Sequence, residues 1–410
     1  MRDSKRTFVP TLRFPDFRDG PEWEIKPLSD IAENLDNKRV PITENKRTKG
    51  DVPYYGASGV VDYVKEYLFD EDLLCVSEDG ANLVTRTYPI AFPISGKTWV
   101  NNHAHVLRFD NAATQRMVEG YLNSTDLRDF ITGMAQPKLN RAMLESIPVP
   151  LPPTGKEQER VADCLTSLDE VIAAQGGKVE ALKAHKQGLM QELFPREGES
   201  LPRLRFPEFR EGPEWTTHPF EHFVLKSFYG TSSSTSEKGE YPVLRMGNMV
   251  DGGLNLSSLA YIDLDRESFE AICLMRGDIL LNRTNSLDLV GKISLFDLDM
   301  EVITASYIVT YRPDQRRIDP SFCNFILNSP PYQRKIKALA RPSVSQANIN
   351  PTTFRKELSI AVPSLIEQRL IADCLASIDA QIVAGCEKLD TVRAHKLGLM
   401  QQLLPSLERD

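Results

Sequence analysis

Two stretches of the chain carry apolar side chains at strictly alternating steps of four and three. In the first, Val161, Leu165, Leu168, Ile172, Gln175, Val179, Leu182, Lys186, Leu189 and Leu193 hold the repeating positions. In the second they are Ile371, Leu375, Ile378, Ile382, Gly385, Leu389, Val392, Lys396, Leu399 and Leu403. Eight of the ten are apolar in each copy, so both segments read as helices with the narrow seam of a heptad core. The polar exceptions fall at the same two places, Gln175 with Gly385 and Lys186 with Lys396, as if a register were being specified. Each helix should run about 37 residues, about 55 Å at 1.5 Å per residue, and end at Pro195 or Pro405. A lone narrow seam is unstable in water, so each helix needs a partner. The other helix is the natural one, in antiparallel pairing; the alternative is that each packs only on its own neighbouring unit. Gly176 and Gly177 argue against an unbroken first helix.

The remaining chain mixes strand and helix patterns. Strand-like runs are "DLLCVSED", "YPIAFPI", "HAHVLRF", "GDILLNRT" and "YIVTYRP", and helical segments follow at Thr114 to Met134 and at Ser321 to Ala340. The chain is also written twice. "LRFPDFRDGPEW" at Leu12 to Trp23 returns as "LRFPEFREGPEW" at Leu204 to Trp215, with 10 of 12 residues identical. The stretch from Glu157 to Pro195 matches Glu367 to Pro405 at 20 of 39 positions. The offsets of the two repeats are 192 and 210, so the second unit is 18 residues longer internally. The expected architecture is α/β: two mixed α/β domains, 1–155 and 196–365, separated by long helices, 156–195 and 366–404, in a pseudo-twofold internal repeat. Between the repeats the two units diverge, which implies a shared attachment and unlike targets.

Composition narrows the function. With 41% hydrophobic and 26% charged residues the chain is globular, and no run approaches the roughly 18 apolar residues of a membrane span. A cytoplasmic location is expected. The six cysteines, Cys75, Cys164, Cys273, Cys323, Cys374 and Cys386, form no CxxC pair and read as reduced, mostly buried thiols rather than a disulfide frame or a zinc site. A net charge of -8 argues against coating nucleic acid by bulk electrostatics. Residues 1–155 carry 19 basic and 22 acidic side chains and residues 196–365 carry 20 and 21, so any such contact must come from clustered charge.

Catalytic signatures are scarce. "NSPPY" at Asn328 to Tyr332 contains Ser-Pro-Pro-Tyr, one spelling of the tetrapeptide with which DNA amino-methyltransferases grip a flipped base. Aligned with the first unit, however, it overlays plain Asn123-Ser124-Thr125-Asp126, so it reads as a helix start that uses proline. No glycine-rich turn for S-adenosylmethionine, Walker motif, GxSxG elbow or HExxH occurs. His103 and His105 alternate on a strand without an acidic or cysteine neighbour in sequence, which favours structural polar residues over a metal pair. No catalytic and no metal-ligating residue is assigned.

What the units offer is chemistry suited to bases and phosphates. Lys38, Arg39, Lys46, Arg47 and Lys49 cluster near "PYYGASG", with Tyr54, Tyr55 and Ser58; the second unit has Arg334, Lys335, Lys337 and Arg341 on or beside one helix. Such clusters anchor phosphates, or are simply solvated faces. Arginine and lysine forks match guanine, and asparagine or glutamine matches adenine. The candidate readers are therefore Asn101, Asn102 and His103, then Gln136, Lys138 and Asn140 of "QPKLN". In the second unit they are Arg245 and Asn248, Asn282, Arg283 and Asn285, then Gln346 and Asn348 of "QANIN".

Two divergent units closed by the repeated "EQ" and "AHKxGLMQxL" helix, with "VNNHAHVL" in one and "GDILLNRTN" in the other, resemble the specificity subunits of type I DNA restriction-modification systems along the whole chain. The resemblance implies two target recognition domains and an antiparallel coiled coil that fixes their separation. It further implies recognition of a bipartite double-stranded DNA target, one half-site per domain. Two modification subunits carrying S-adenosylmethionine and restriction subunits using ATP and Mg would assemble on the chain, which would itself hold no cofactor. Gln136 with Asn140, and Gln346 with Asn350, fall at a loop position similar to the family's. An assembly scaffold without sequence-specific DNA binding is the alternative.

Overall fold

The computed structural model describes residues 7–133, 135–196, 198–342 and 346–404. The two seams become the two longest helices, Gly155–Leu193 and Leu365–Leu403, of 39 residues each, about 58 Å at 1.5 Å per residue. The first is unbroken through Gly176 and Gly177, where an added Cβ would meet open space. Pro195 follows the end of the first helix, and Pro405 lies outside the described residues.

The chain divides into two compact units, Met1–Gly177 with Glu387–Asp410, and Lys178–Cys386. The division falls inside both long helices, so each unit owns half of each. In the first unit, Leu165 and Leu404 close over Gly120, where an added Cβ would stand 3.2 and 3.1 Å from their methyl groups, and further along Lys396 pairs with Asp169. Residue numbers rise on one helix as they fall on the other: the halves run antiparallel. In the second unit, Leu193 shares a core with Ile371 and Leu375, and the Lys186 ammonium lies 2.6 and 2.7 Å from the two Asp379 oxygens. The lysines that interrupt the seam are therefore ion-paired, each to the aspartate that ends the matching "SLD" or "SID" segment, Asp169 or Asp379.

Burial follows the seam. Val161, Leu165, Val179, Leu193, Ile371, Leu375, Ile378 and Leu403 are buried, whereas Leu168, Ile172, Leu182, Leu189, Ile382, Leu389, Val392 and Leu399 are half-buried. The buried ends belong to the unit cores: Val161, Leu165 and Leu403 join Trp23, Met117 and Tyr121, while Leu193, Ile371 and Leu375 join Trp215, Phe322 and Ile326. Helix pairing and packing on the unit, posed as alternatives by periodicity, coexist.

Both units are built alike. In the first, a sheet runs in the order Glu33–Asn34, Ala104–Arg108, Leu73–Ser77, Ala91–Ile94; in the second, Val224–Tyr229, Ile308–Pro313, Asp278–Asn282, Ile293–Phe296, all antiparallel. Each unit adds a second sheet containing one parallel pair, Lys49–Gly56 with Lys97–Val100 and Tyr241–Leu244 with Ile303–Thr304. The predicted helices are shorter than the apolar pattern alone suggests. Ala112–Ser124 stops where Thr125 turns extended, ahead of a separate turn at Arg128–Phe130; Met134 lies outside the described residues. The second is cut at Ser329 (φ -68°, ψ 150°) into Pro320–Asn328 and Pro330–Ala338, because Pro330 disfavours a helical residue before it. The Ser-Pro-Pro-Tyr segment thus begins a helix, with Ser329 buried and the Tyr332 hydroxyl accepting from the Ala361 amide. Of the six thiols, unbonded to one another, only Cys75 and Cys323 are fully buried, fewer than expected, and burial pushes both up.

The repeated segments meet at one contact. In the first unit the Arg13 guanidinium forks onto Glu157 in the first turn of the long helix (Nε–Oε1 2.7 Å, Nη2–Oε2 2.8 Å) and also donates to the Gly20 and Pro21 carbonyls, while Trp23 Nε1 donates to the same carboxylate. Arg205 repeats the fork on Glu367 and donates to Gly212 and Pro213. The glutamine after each glutamate ties in the shorter helices: Gln158 accepts from Thr114, and Gln368 from the Asp319 amide.

Removing one side of a buried ion pair strands the other charge, at a cost of about 3–5 kcal/mol. Arg13→Ala and Arg205→Ala should each lose about that much in denaturant unfolding, measured separately. Gly176→Ala and Gly177→Ala, having open space for a methyl group, should each stabilise by about 1 kcal/mol, read as a rise in melting temperature.

Candidate nucleic-acid interface

The candidate residues of the first unit separate by burial. Lys46, Lys49, Ser58, Asn102, His103, Gln136 and Lys138 are exposed. Tyr54 is not available to a ligand: it is 1% exposed, and its hydroxyl accepts from the Ile42 amide at 3.0 Å. Arg47 stacks over the Tyr54 ring and is ion-paired to Asp62. Tyr55 is half-buried and stacks on Phe92. Asn101 is buried, its carbonyl oxygen accepting from the His103 amide. Asn140 caps the helix Arg141–Glu145 by accepting from the Met143 amide. These last five are accounted for by the fold.

In the second unit Arg245 and Gln346 are exposed, and Arg283, Asn285 and Asn348 half-buried. Asn248 is buried, its amide donating to the Asn255 and Ser258 carbonyls at 2.8 and 3.0 Å, so it braces a turn. Asn282 is also buried, with no hydrogen-bond partner for its amide among the described residues. Asn350 caps Pro351–Glu357 as Asn140 caps its helix. The asparagine of each polar loop is thus a helix cap, whose side-chain oxygen takes up an otherwise orphaned amide. Arg334, Lys335, Lys337 and Arg341 are exposed and form no ion pair with the described residues, unlike Arg39 and Arg47 in the first unit.

The polar loops dock on equivalent strand ends. In the first unit the Glu78 amide donates to the His103 carbonyl, and the Glu78 carbonyl accepts from the Leu139 amide; in the second, Arg283 makes the same two bonds to Tyr307 and Ile349. Lys138 and Asn348 therefore occupy corresponding places at the end of each central sheet. His103 and His105 find carboxylates that sequence proximity did not disclose. His103 Nδ1 lies 2.8 Å from Asp79; the buried His105 lies 2.5 Å from Asp36 through Nδ1 and 2.7 Å from the Leu139 carbonyl through Nε2.

Asp36, Glu78 and His105 place potential metal-ligating atoms within 4.8 Å of one another. Arg39 reaches both carboxylates (2.7 Å to Glu78, 3.3 Å to Asp36), and Lys138 lies 3.1 Å from Glu78. Two cations already balance the two acids, so the cluster fits an internal ion network that pins the "QPKLN" loop rather than a metal centre.

A family model for the type I restriction modification DNA specificity domain matches the chain twice, over residues 21–184 and 226–390. The chain belongs to that family. A Haemophilus influenzae chain named as a type I restriction enzyme specificity subunit is 34% identical over 167 residues, covering 40% of this chain and 42% of the relative. A MjaX specificity subunit of Methanocaldococcus jannaschii matches at 27%, over 42% of this chain and 41% of its own length. These two alignments thus span about two fifths of each relative. The MjaVIII specificity subunit of the same organism aligns at 23% identity over 96% of this chain and 93% of its own. In fold, the S subunit of a type I restriction-modification system from M. genitalium superposes with TM-score 0.62 at 11% identity, covering 98% of this chain and 100% of that one. Among the described residues, no helix is long and apolar enough to cross a membrane.

The ion network predicts a pH dependence. Burial pushes Asp36 and Glu78 up, but hydrogen bonds from His105 to Asp36 and from Arg39 to Glu78, with the neighbouring cations, leave both below the ordinary carboxylate range. A depressed carboxylate stabilises fully above its unfolded value, about 4, and that stability is lost as pH falls through the lower folded value. Calorimetric melting of the chain should therefore decline below about pH 4, and Asp36→Asn should make the decline shallower.

Proposed function

We propose that this chain is the DNA-reading subunit of a type I restriction-modification complex. It reads a bipartite duplex target, one half-site per unit, and it directs adenine methylation by modification subunits and cleavage by ATP-dependent restriction subunits. S-adenosylmethionine, ATP and Mg belong to those partners, and the chain itself is non-catalytic and works in the cytoplasm. The observation that carries this reading is the pairing of one specificity-domain fold, present twice, with unlike polar side chains at the corresponding strand ends. A scaffold would have no use for two different sets of such side chains on one framework.

The test replaces residues 24–146 with the corresponding region of another family member and sequences the methylome of cells expressing the complex. One half of the methylated motif should change while the other half stays. An unchanged motif would indicate a scaffold. Methyl transfer by the purified chain, without modification subunits, would indicate an autonomous methyltransferase.

A further inference from the structure

The strand-end correspondence extends to three side chains in each unit. In the second unit, Asn348 is the cross-strand neighbour of both Thr284 and Arg341, in a three-stranded sheet of Thr284–Asn285, Ala347–Ile349 and Ala340–Pro342. In the first unit, Lys138 is bridged in the same antiparallel sense to Asp79 on one side and Thr132 on the other. The sequence repeat aligns Lys138 with Asn348 at the 210 offset, and Asp79 lies one residue after Glu78 as Thr284 lies one after Arg283. Each unit therefore presents one row of three side chains at the same place in its fold: Asp79, Lys138, Thr132 in one and Thr284, Asn348, Arg341 in the other.

The rows face outward. Along a strand successive side chains alternate between faces, and Ala347 and Ile349, on either side of Asn348, are fully buried. Asn348 and Thr284 are half-buried, and Arg341 is exposed with no ion pair among the described residues. The Thr284 hydroxyl donates to Asn348 Oδ1 at 2.6 Å. That bond fixes which way the amide points and leaves its NH2 group and one carbonyl lone pair to a ligand. Arg334, Lys335 and Lys337, exposed on the helix just before Arg341 and unpaired among the described residues, supply positive charge for a polyanion.

We infer that this row is the base-reading element of each unit and that the second unit's row takes the major-groove edges of DNA: Asn348 forks onto an adenine, Arg341 onto a guanine, and Thr284 is a positioning residue for the Asn348 amide. Cross-strand neighbours stand about 5 Å apart, close enough for the two forks to reach neighbouring base pairs. The first unit's row, with the Asp79 carboxylate at the place of Thr284, the Lys138 ammonium at that of Asn348 and the Thr132 hydroxyl at that of Arg341, reads a different sequence through the same frame; Asp79 accepts from cytosine or adenine amino groups. This inference rests on the DNA-reading function proposed above.

The test uses the full chain assembled with its modification subunits. Methylome sequencing of wild type defines the motif; duplexes carrying that motif, and duplexes with each base pair replaced singly, are then titrated against wild type, Arg341→Lys, Asn348→Ala, Thr284→Val and Thr284→Ser. In one half-site only, Arg341→Lys should cut the preference for guanine and Asn348→Ala the preference for adenine, each by about 5- to 150-fold. Thr284→Val should weaken the adenine preference alone, and Thr284→Ser should restore it. Unchanged base preferences in both Arg341→Lys and Asn348→Ala would overturn the inference. So would an equal loss on every duplex, which marks phosphate anchors. A wild-type complex with no sequence preference sinks the DNA-reading function itself, an outcome distinct from either.

Discussion

A carboxylate enclosed in the first turn of each long helix is the fixed point around which each unit is assembled. Glu157 and Glu367 are each 1% exposed and each held by an arginine fork from the repeated "LRFP" segment. A charge buried so deeply is tolerable only with its partner and hydrogen bonds in place. The same arginines donate to the carbonyls of the following turn, so the strap before each sheet, the sheet and the long helix are located by one contact. With the helix start fixed, the adjacent glutamine sets the start of a shorter helix, and the central sheet packs against both.

The repeated sequence is accounted for by this framework. Glu157 and Gln158 hold strap and helix; Asp169 and Lys396 pair in one unit, as Asp379 and Lys186 do in the other; Met400, Leu403 and Leu404 close one core, and Leu193 and Phe194 the other. Between the repeats the side chains differ throughout, while the order and antiparallel sense of the central sheet are the same. A protein built this way can change what one unit recognises without disturbing how that unit folds.

The two units also differ in their electrostatics. In the first, Arg39 is paired to Glu78 and Arg47 to Asp62, while Lys138 reaches Glu78 with half of its side chain still in solvent. In the second, the charge of Arg334, Lys335, Lys337 and Arg341 stays in solvent. Two units of similar net charge thus present unlike surfaces.

The sequence by itself determined the long helices, because a four-three apolar period over 39 residues has no other regular solution, and it determined the twofold plan and the main strands, because those are local patterns. It also marked the loops that carry Lys138 and Asn348. It did not separate readers from braces: Tyr54, Asn101, Asn248 and Asn140 have the chemistry of base readers, and only packing turned them into core, turn and cap residues. Nor did it join Asp36 to His105, or Thr284 and Arg341 to Asn348, since those neighbours are 69, 64 and 7 residues apart in the chain, and adjacency across strands is set by register. Whether a polar side chain faces a base or a backbone amide depends on which strand lies beside it, and that was decided only when the sheets closed.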